Sequence, residues 1–362
     1  INLLVGFFVG LSSGATVIIS QYYGADNRRR VSDSVHTAIA LAIAGGVVIM
    51  LIGLVSARFA LAAMGTPDDI LSLSLTYMKI YYLGTIPSMI YNMGSGILRA
   101  VGDSKRPLYY LMLCCLLNIV LDLVFVAGLH FGVEGAAIAT SLSNLVSALL
   151  ILTQLAKAKE GYRFRPRQTK IHRPTLTHIL GIGVPAAVES SMYAFSNLLI
   201  QVPINNLGTD AVAAWSATSK VDGIYWSLIV SFGVAIMAFV GQNYGAGKYD
   251  RMKASVKVCM QIAMGTTIVL SVLLMIFAKY CFLLFTDNPQ VIQYATQVVY
   301  YFAPFYFIWT VIEVLANALR GAGDALAPMV ISVNIMTQTS IFFISFILVL
   351  LNSSQISMSH YH

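Results

Sequence analysis

The stretch Thr37–Leu54 reads TAIALAIAGGVVIMLIGL and carries no charged side chain. A run of about 18 or more apolar residues is what an α-helix needs to cross the hydrocarbon core of a bilayer. This run is apolar on every face. A surface helix of a soluble domain keeps a polar side, and a membrane β-strand alternates in polarity. The reading is therefore a membrane-spanning helix. Composition agrees: 58% of the 362 residues are hydrophobic and 10% are charged, against about 25% charged in soluble domains.

Working outward from Thr37–Leu54, the same pattern predicts ten spans, roughly 3–21, 35–57, 76–98, 108–128, 135–156, 179–202, 213–240, 256–278, 292–318 and 328–351. Turn chemistry separates them, as at Gly65-Thr66-Pro67-Asp68, Gly102-Asp103-Ser104, Asn206-Leu207-Gly208, Asp287-Asn288-Pro289 and Gly321-Ala322-Gly323-Asp324. Positive charge collects in alternate loops: Arg28, Arg29 and Arg30; Arg99, Lys105 and Arg106; the segment from Lys157 to Arg173; Lys248, Arg251 and Lys253; and Arg320. The intervening loops hold Asp68, Asp69, Glu134, Asp210 and Asp287. By the positive-inside rule the basic loops are cytoplasmic. The net charge of +7 then reflects topology rather than nucleic-acid binding. Cys114, Cys115, Cys259 and Cys281 lie in or beside apolar runs without metal-ligand spacing, and read as small hydrophobes.

The chain also repeats itself. Gln21-Tyr22-Tyr23-Gly24-Ala25 matches Gln242-Asn243-Tyr244-Gly245-Ala246, and Leu98-Arg99-Ala100-Val101-Gly102-Asp103 matches Leu319-Arg320-Gly321-Ala322-Gly323-Asp324. Pro107 matches Pro328 at the same offset of 221 residues. Six spans separate the equivalent points, so the repeat is parallel, related by an axis along the membrane normal. The expected fold class is an all-α polytopic membrane protein of two parallel six-helix repeats. On the 221 offset, the first and last of twelve helices lack counterparts here. The expected organisation is an N-terminal lobe over 1–156 (helices 2–6 of twelve), a basic cytoplasmic linker over 157–178, a C-terminal lobe over 179–351 (helices 7–11), and an atypical polar tail over 352–362.

These features together resemble the multidrug and toxic compound extrusion (MATE) family. The resemblance rests on Gly14-Ala15 with the Gln21–Ala25 motif, the Leu98–Asp103 motif and its twin, Asn118-Ile119-Val120-Leu121-Asp122, Gly132–Thr140 and Gly183-Val184-Pro185-Ala186. It implies two six-helix lobes around a central cavity, with export of organic cations driven by Na⁺ or H⁺ entry. The corresponding location is the plasma (inner) membrane. The partners are a small organic substrate and the bilayer, with no nucleic acid, no cofactor beyond the coupling ion, and a monomeric state. A flippase for a lipid-linked sugar or cell-wall precursor, from the same superfamily, is the alternative. It calls for several intramembrane arginines to grip pyrophosphate, and few are present.

An acidic side chain inside a span costs about 2.5–3.5 kcal/mol on insertion scales and needs a reason. Glu313, Glu189 and Asp122 lie inside spans. Glu313 and Glu189 suit coupling chemistry, and Glu313 also suits a structural hydrogen bond to a neighbouring helix. Glu189 also suits helix packing, and Asp122, one turn after Asn118, suits an interhelical hydrogen bond or conformational switching. The resemblance adds that the family commonly places acidic residues on the helices carrying Glu313 and Glu189. Lys220, near the outer half of its span, either snorkels or pairs with a carboxylate. Tyr193, Trp226 and Tyr82 are candidate cavity aromatics for a cation. Pro87, Pro185, Pro203 and Pro304 are candidate kinks. His36, His130, His172 and His178 are scattered along the chain, and no catalytic triad, phosphate loop or metal cluster is present in the sequence. An enzyme is not expected.

Overall fold

The computed structural model describes residues 2–63, 68–158, 161–205 and 208–335, and among these no strand occurs. The helices are α1 (Asn2–Gly24), α2 (Arg28–Ala63), α3 (Asp68–Leu83), α4 (Thr85–Ala100), α5 (Lys105–Asp122), α6 (Gly132–Ala156), α7 (Arg173–Asn205), α8 (Thr209–Gly245), α9 (Tyr249–Leu283), α10 (Pro289–Phe302) and α11 (Tyr306–Ala322). A further apolar helix, α12, begins at Leu326 and is described to Ile335. Seven helical stretches among the described residues are long and apolar enough to cross a membrane. The turns around Pro67 and Asn206-Leu207, the rest of the tenth predicted span and the tail lie outside the described residues.

Three predicted spans are not single straight α-helices. The third is broken at Gly84 into α3 and α4, and Pro87 falls in the first turn of α4, where a missing N–H does no harm. The fourth ends in a π-helical turn over Leu123–Gly128. The ninth is interrupted by a 3₁₀ turn over Ala303–Phe305 that contains Pro304. Pro185 and Pro203 instead lie inside the continuous α7.

The chain divides into two compact units. Among the described residues, 7–187 with 245–247 form the N-terminal unit, and 2–6, 188–244 and 248–335 form the C-terminal unit. In the N-terminal unit, α2 packs on α3 and α4, while α6 packs on α3, α4 and α5. α1 approaches α7 through small residues, and a Cβ added at Gly14 would stand 2.6 Å from the backbone nitrogen of Gly183. Membrane helices pack closely where small residues let backbones meet. In the C-terminal unit, α9 packs on α10 and α11, around a core that includes Tyr225, Ile229, Phe282, Val291, Val299 and Tyr306. The outward faces stay apolar: Leu108, Met112, Leu116 and Ile119 on α5, and Val258, Ile262, Val269 and Ile276 on α9, are exposed. Such faces are stable where lipid, not water, surrounds them.

The repeat is written into local geometry. Asp103 N donates to Leu98 O at 2.9 Å, and Asp324 N donates to Leu319 O at 3.0 Å. Gly102 and Gly323 close these helix ends with φ of 91° and 103°, a left-handed conformation that glycine adopts without a Cβ clash. Asn27 N donates to Tyr22 O at 3.0 Å, and its equivalent Lys248 N to Asn243 O at 2.9 Å.

The basic segment after α6 is anchored rather than free. Phe164 is buried against His36 of α2, with ring centroids 5.5 Å apart. Arg165 N donates to His36 Nε2 at 3.1 Å, while His36 Nδ1 lies 2.7 Å from Ser32 O. These two contacts fix the tautomer: Nδ1 carries the proton and Nε2 accepts. His172 N donates to Thr37 Oγ1 at 3.2 Å. Losing a buried hydrogen-bonded anchor of this kind costs about 1–2 kcal/mol, roughly five- to thirtyfold in the open population. His36→Ala is therefore expected to accelerate tryptic cleavage after Arg167 and Lys170 by that factor; unchanged cleavage kinetics would mean that His36 does not hold the segment.

Candidate functional site

The residues Tyr306, Thr310, Glu313, Asn317 and Arg320 fall at i, i+4, i+7, i+11 and i+14 along α11, so they share one face of the helix. That polar stripe runs about 21 Å along the axis at 1.5 Å per residue. α8 lies alongside it with the same chain direction. Asp222 meets Tyr306, Tyr225 meets Thr310, Gly233 meets Asn317 and Met237 meets Gly321. Gly233 makes room for the stripe, since a Cβ there would stand 3.0 Å from Glu313 Oε1.

At the inner end, Arg320 Nη2 pairs with Glu189 Oε2 of α7, and both residues are buried, at 8% and 3% exposure. Arg320 Nη1 donates to Asn317 Oδ1 at 3.0 Å. Asn317 Nδ2 in turn donates to Glu313 Oε1 at 2.7 Å. The amide thus points its oxygen at the cation and its nitrogen at the second carboxylate. One guanidinium serves two carboxylates: Glu189 directly and Glu313 through Asn317. Glu313 has no ion-pair partner of its own among the described residues. With both carboxylates ionised the cluster carries one uncompensated negative charge in a low-dielectric span, where it favours a bound cation or proton.

One turn outward stand three aromatic rings. Tyr193 of α7 lies 5.6 Å from Trp226 of α8 and 6.2 Å from Trp309 of α11, and the two tryptophans are 6.1 Å apart, centroid to centroid. All three are half-buried. Trp309 precedes Glu313 by one turn. Their π faces attract cations, so negative charge and ring faces are grouped within the same unit.

At the outer end, Tyr306 Oη donates to Asp222 Oδ1. The Tyr306 ring stacks on Tyr225 with centroids 4.2 Å apart. Tyr225 Oη donates to Tyr306 O at 2.8 Å and lies 3.2 Å from Thr310 Oγ1, which is 2.7 Å from Thr267 Oγ1 of α9. Three buried hydroxyls therefore tie α8, α9 and α11 together.

The equivalent positions of the N-terminal unit are chemically different. Asn92, Gly96 and Arg99 occupy the places of Glu313, Asn317 and Arg320. Asn92 bonds back to Ser88 O at 2.9 Å. The small and large partners are exchanged as well. Gly96 faces Ser12 and Thr16 of α1, whereas Gly233, the equivalent of Ser12, faces Asn317. Elsewhere in this unit, Asn118 Nδ2 and Asp122 Oδ1, one turn apart on α5, are buried without a hydrogen-bond partner among the described residues.

A model of the MatE family matches residues 1–124 and 185–344. The chain belongs to this family. This MatE chain is accordingly a multi-pass membrane transporter, not an enzyme. It is 28% identical over 338 residues to the probable multidrug resistance protein YoeA of Bacillus subtilis, covering 91% of this chain and 73% of that protein. It is 27% identical over 328 residues to the probable multidrug resistance protein NorM of Thermotoga maritima, covering 90% and 70%. A protein of Shewanella oneidensis named as an FAD transporter is 23% identical over 331 residues, covering 90% and 73%. Among solved structures, an outward-facing multidrug resistance MATE transporter superposes with a TM-score of 0.86 at 23% identity, over 91% of this chain and 74% of that one.

Within the MatE fold, the residues singled out from sequence fall in different places. Glu313 and Glu189 are brought into one network, with Tyr193 and Trp226 beside it. Lys220 is apart from it: its ammonium lies 5.5 Å from the Phe285 ring centre, just beyond the end of α9, and forms no ion pair among the described residues. Tyr82 is buried in the N-terminal unit with its ring against Gly53 of α2, where it fills a helix contact. Asp122 lies in the N-terminal unit with Asn118. Sequence reasoning missed Arg320, Asn317, Trp309 and Thr310. In sequence Arg320 reads as a loop charge, yet it lies in the last turn of α11 and is buried. The available signal was the i+4 spacing of Glu313 to Asn317 and of Trp309 to Glu313.

Proposed function

We infer that this chain exports small organic compounds, cationic or amphipathic, in exchange for Na⁺ or H⁺. The observation that carries the reading is Glu313: an intramembrane carboxylate without its own counter-ion among the described residues, next to the Tyr193–Trp226–Trp309 rings. A drug cation and a coupling ion would compete for that charge, and binding one in place of the other is what antiport requires. The multidrug names of the relatives support the substrate class. Glu189 serves to hold Arg320 and so sets the field at Glu313. Asp122, with the orphaned Asn118 amide, is a second carboxylate available to the coupling ion in the N-terminal unit.

The test is a flux assay in proteoliposomes containing this chain, with ethidium as the probe. Net movement of ethidium is expected only when an opposing H⁺ or Na⁺ gradient is imposed, and the two gradients applied separately identify the ion. Ethidium flux indifferent to both gradients, or gradient-driven flux of FAD with none of ethidium, would overturn the reading.

A further inference from the structure

We propose that Asp222, held by Tyr306, is the outer entry station for the coupling cation on its way to Glu313. This rests on the reading of Glu313 as the exchange site and adds a residue and a direction to it.

Three observations carry it. Asp222 is an acidic side chain within the α8 span, and its position is costly unless it is used. It has no ion-pair partner among the described residues. The titratable and charged groups around it are Tyr306 of α11, which donates to it, Tyr225 of its own helix, and Lys220, whose ammonium is turned to the Phe285 ring. Its place in the stripe is terminal. Tyr306 begins the polar face of α11 that continues through Thr310 to Glu313, seven residues or about 10 Å further in.

The level of Asp222 in the unit also fits an entry point. Outward of it, Asn288 Nδ2 donates to Asp210 Oδ1 at 3.1 Å, tying together the outer ends of α8 and α10. The ring of Phe285 that receives Lys220 lies just past the outer end of α9. Among the described residues of this unit, Asp222 on α8 is thus the first carboxylate below the outer rim, and Glu313 is the next, on the α11 face that begins with Tyr306. A purely structural reason for the Tyr306–Asp222 contact is weaker, because the α8–α11 packing is already fixed by the Tyr225–Thr310–Thr267 hydroxyls and by Gly233. The chemistry is that of a hard carboxylate site for H⁺ or Na⁺, with the phenol fixing the carboxylate's orientation.

The experiment compares two fluxes of ethidium in proteoliposomes. Gradient-driven flux needs the coupling cation, whereas exchange of labelled for unlabelled ethidium needs only the substrate. External H⁺ and external Na⁺ are titrated in separate arms, which distinguishes the ions. A hydrogen bond to a charged group is worth about tenfold or more in an equilibrium. Asp222→Asn is therefore expected to raise the external cation concentration for half-maximal driven flux about tenfold or more, a shift of roughly one pH unit in the H⁺ arm, whereas Tyr306→Phe removes a donor that favours the ionised carboxylate and is expected to lower that concentration in the H⁺ arm; exchange stays within about twofold of the parent in both. Asp222→Glu, which keeps the charge, is expected to restore most of the driven flux. An unchanged half-maximal concentration in both arms would sink the proposal. So would a parallel loss of exchange and driven flux in Asp222→Asn and Tyr306→Phe, since that marks a structural contact. Glu313→Gln, run beside them, separates the two readings: if it retains gradient-driven flux, the exchange-site assignment fails whatever Asp222 does.

Discussion

Glu313→Gln is expected to uncouple the transporter: gradient-driven export of an organic cation falls by about 10²–10³-fold, the scale on which a positioned proton-exchanging group contributes. Glutamine keeps the shape and can still accept from Asn317 Nδ2, which now bonds Glu313 Oε1 at 2.7 Å. What it removes is the one negative charge that Arg320 does not cancel. Packing around Gly233, which stands against both Glu313 and Asn317, changes little. The variant should therefore express, melt like the parent and lose gradient-driven export, together with part of its affinity for the organic cation that shares this charge. Glu313→Asp keeps the charge but draws it back by one methylene, so it should retain part of the driven flux. A Glu313→Gln protein that pumps at the parental rate would remove the carboxylate from the mechanism.

The asymmetry between the units gives this prediction a control. Asn92 holds the equivalent place on α4 and is already neutral, bonded back to Ser88 O. Asn92→Ala should cost little driven flux, because no charge is lost. The repeat supplies the same helix-end geometry to both units, while the chemistry at the equivalent positions differs by single side chains.

Much of this was legible in the sequence. The 18-residue apolar runs require helices in lipid, because a span has no water to satisfy its backbone, and the 221-residue offset fixed two related bundles. Glu313 and Glu189 stood out because carboxylates in apolar runs are costly. The rest was illegible for physical reasons. The break at Gly84 sits in an unbroken apolar run, and hydropathy is blind to where a helix restarts. Arg320 follows a span, so it reads as a cytoplasmic charge by the positive-inside rule. It is buried because α11 runs on to Ala322 and because Glu189, 131 residues away, meets it there. No local periodicity encodes a pair that distant. Trp309 carries no signal of its own in sequence, because an aromatic in a membrane helix is ordinarily packing, and only its nearness to Tyr193 and Trp226 distinguishes it.

The Glu189–Arg320 pair is expected to dominate the stability of the C-terminal unit. Breaking a buried ion pair by removing one partner typically costs about 3–5 kcal/mol, because the surviving charge is stranded. Arg320 has little else to lean on: Asn317 Oδ1 takes one donor, and the guanidinium Nε has no hydrogen-bond partner among the described residues. Glu189→Leu should therefore lower the melting temperature of the purified protein in detergent sharply, and Arg320→Met should do so as well, by leaving Glu189 unpaired. The double replacement Glu189→Leu with Arg320→Met removes both charges and fills similar volume, a change that is often neutral for buried pairs. It should melt close to the parent, so the double-mutant cycle returns a large coupling term of opposite sign to the single losses. Its transport should nonetheless differ from the parent, since Glu313 then faces Asn317 without Arg320 behind it. Single variants that melt like the parent, or a double variant that melts at the sum of the single losses, would show that the pair does not carry the stability of this unit. If the double variant is stable but has an altered ion dependence, Arg320 is a positioning charge for Glu313 and Glu189 is the group that keeps it buried.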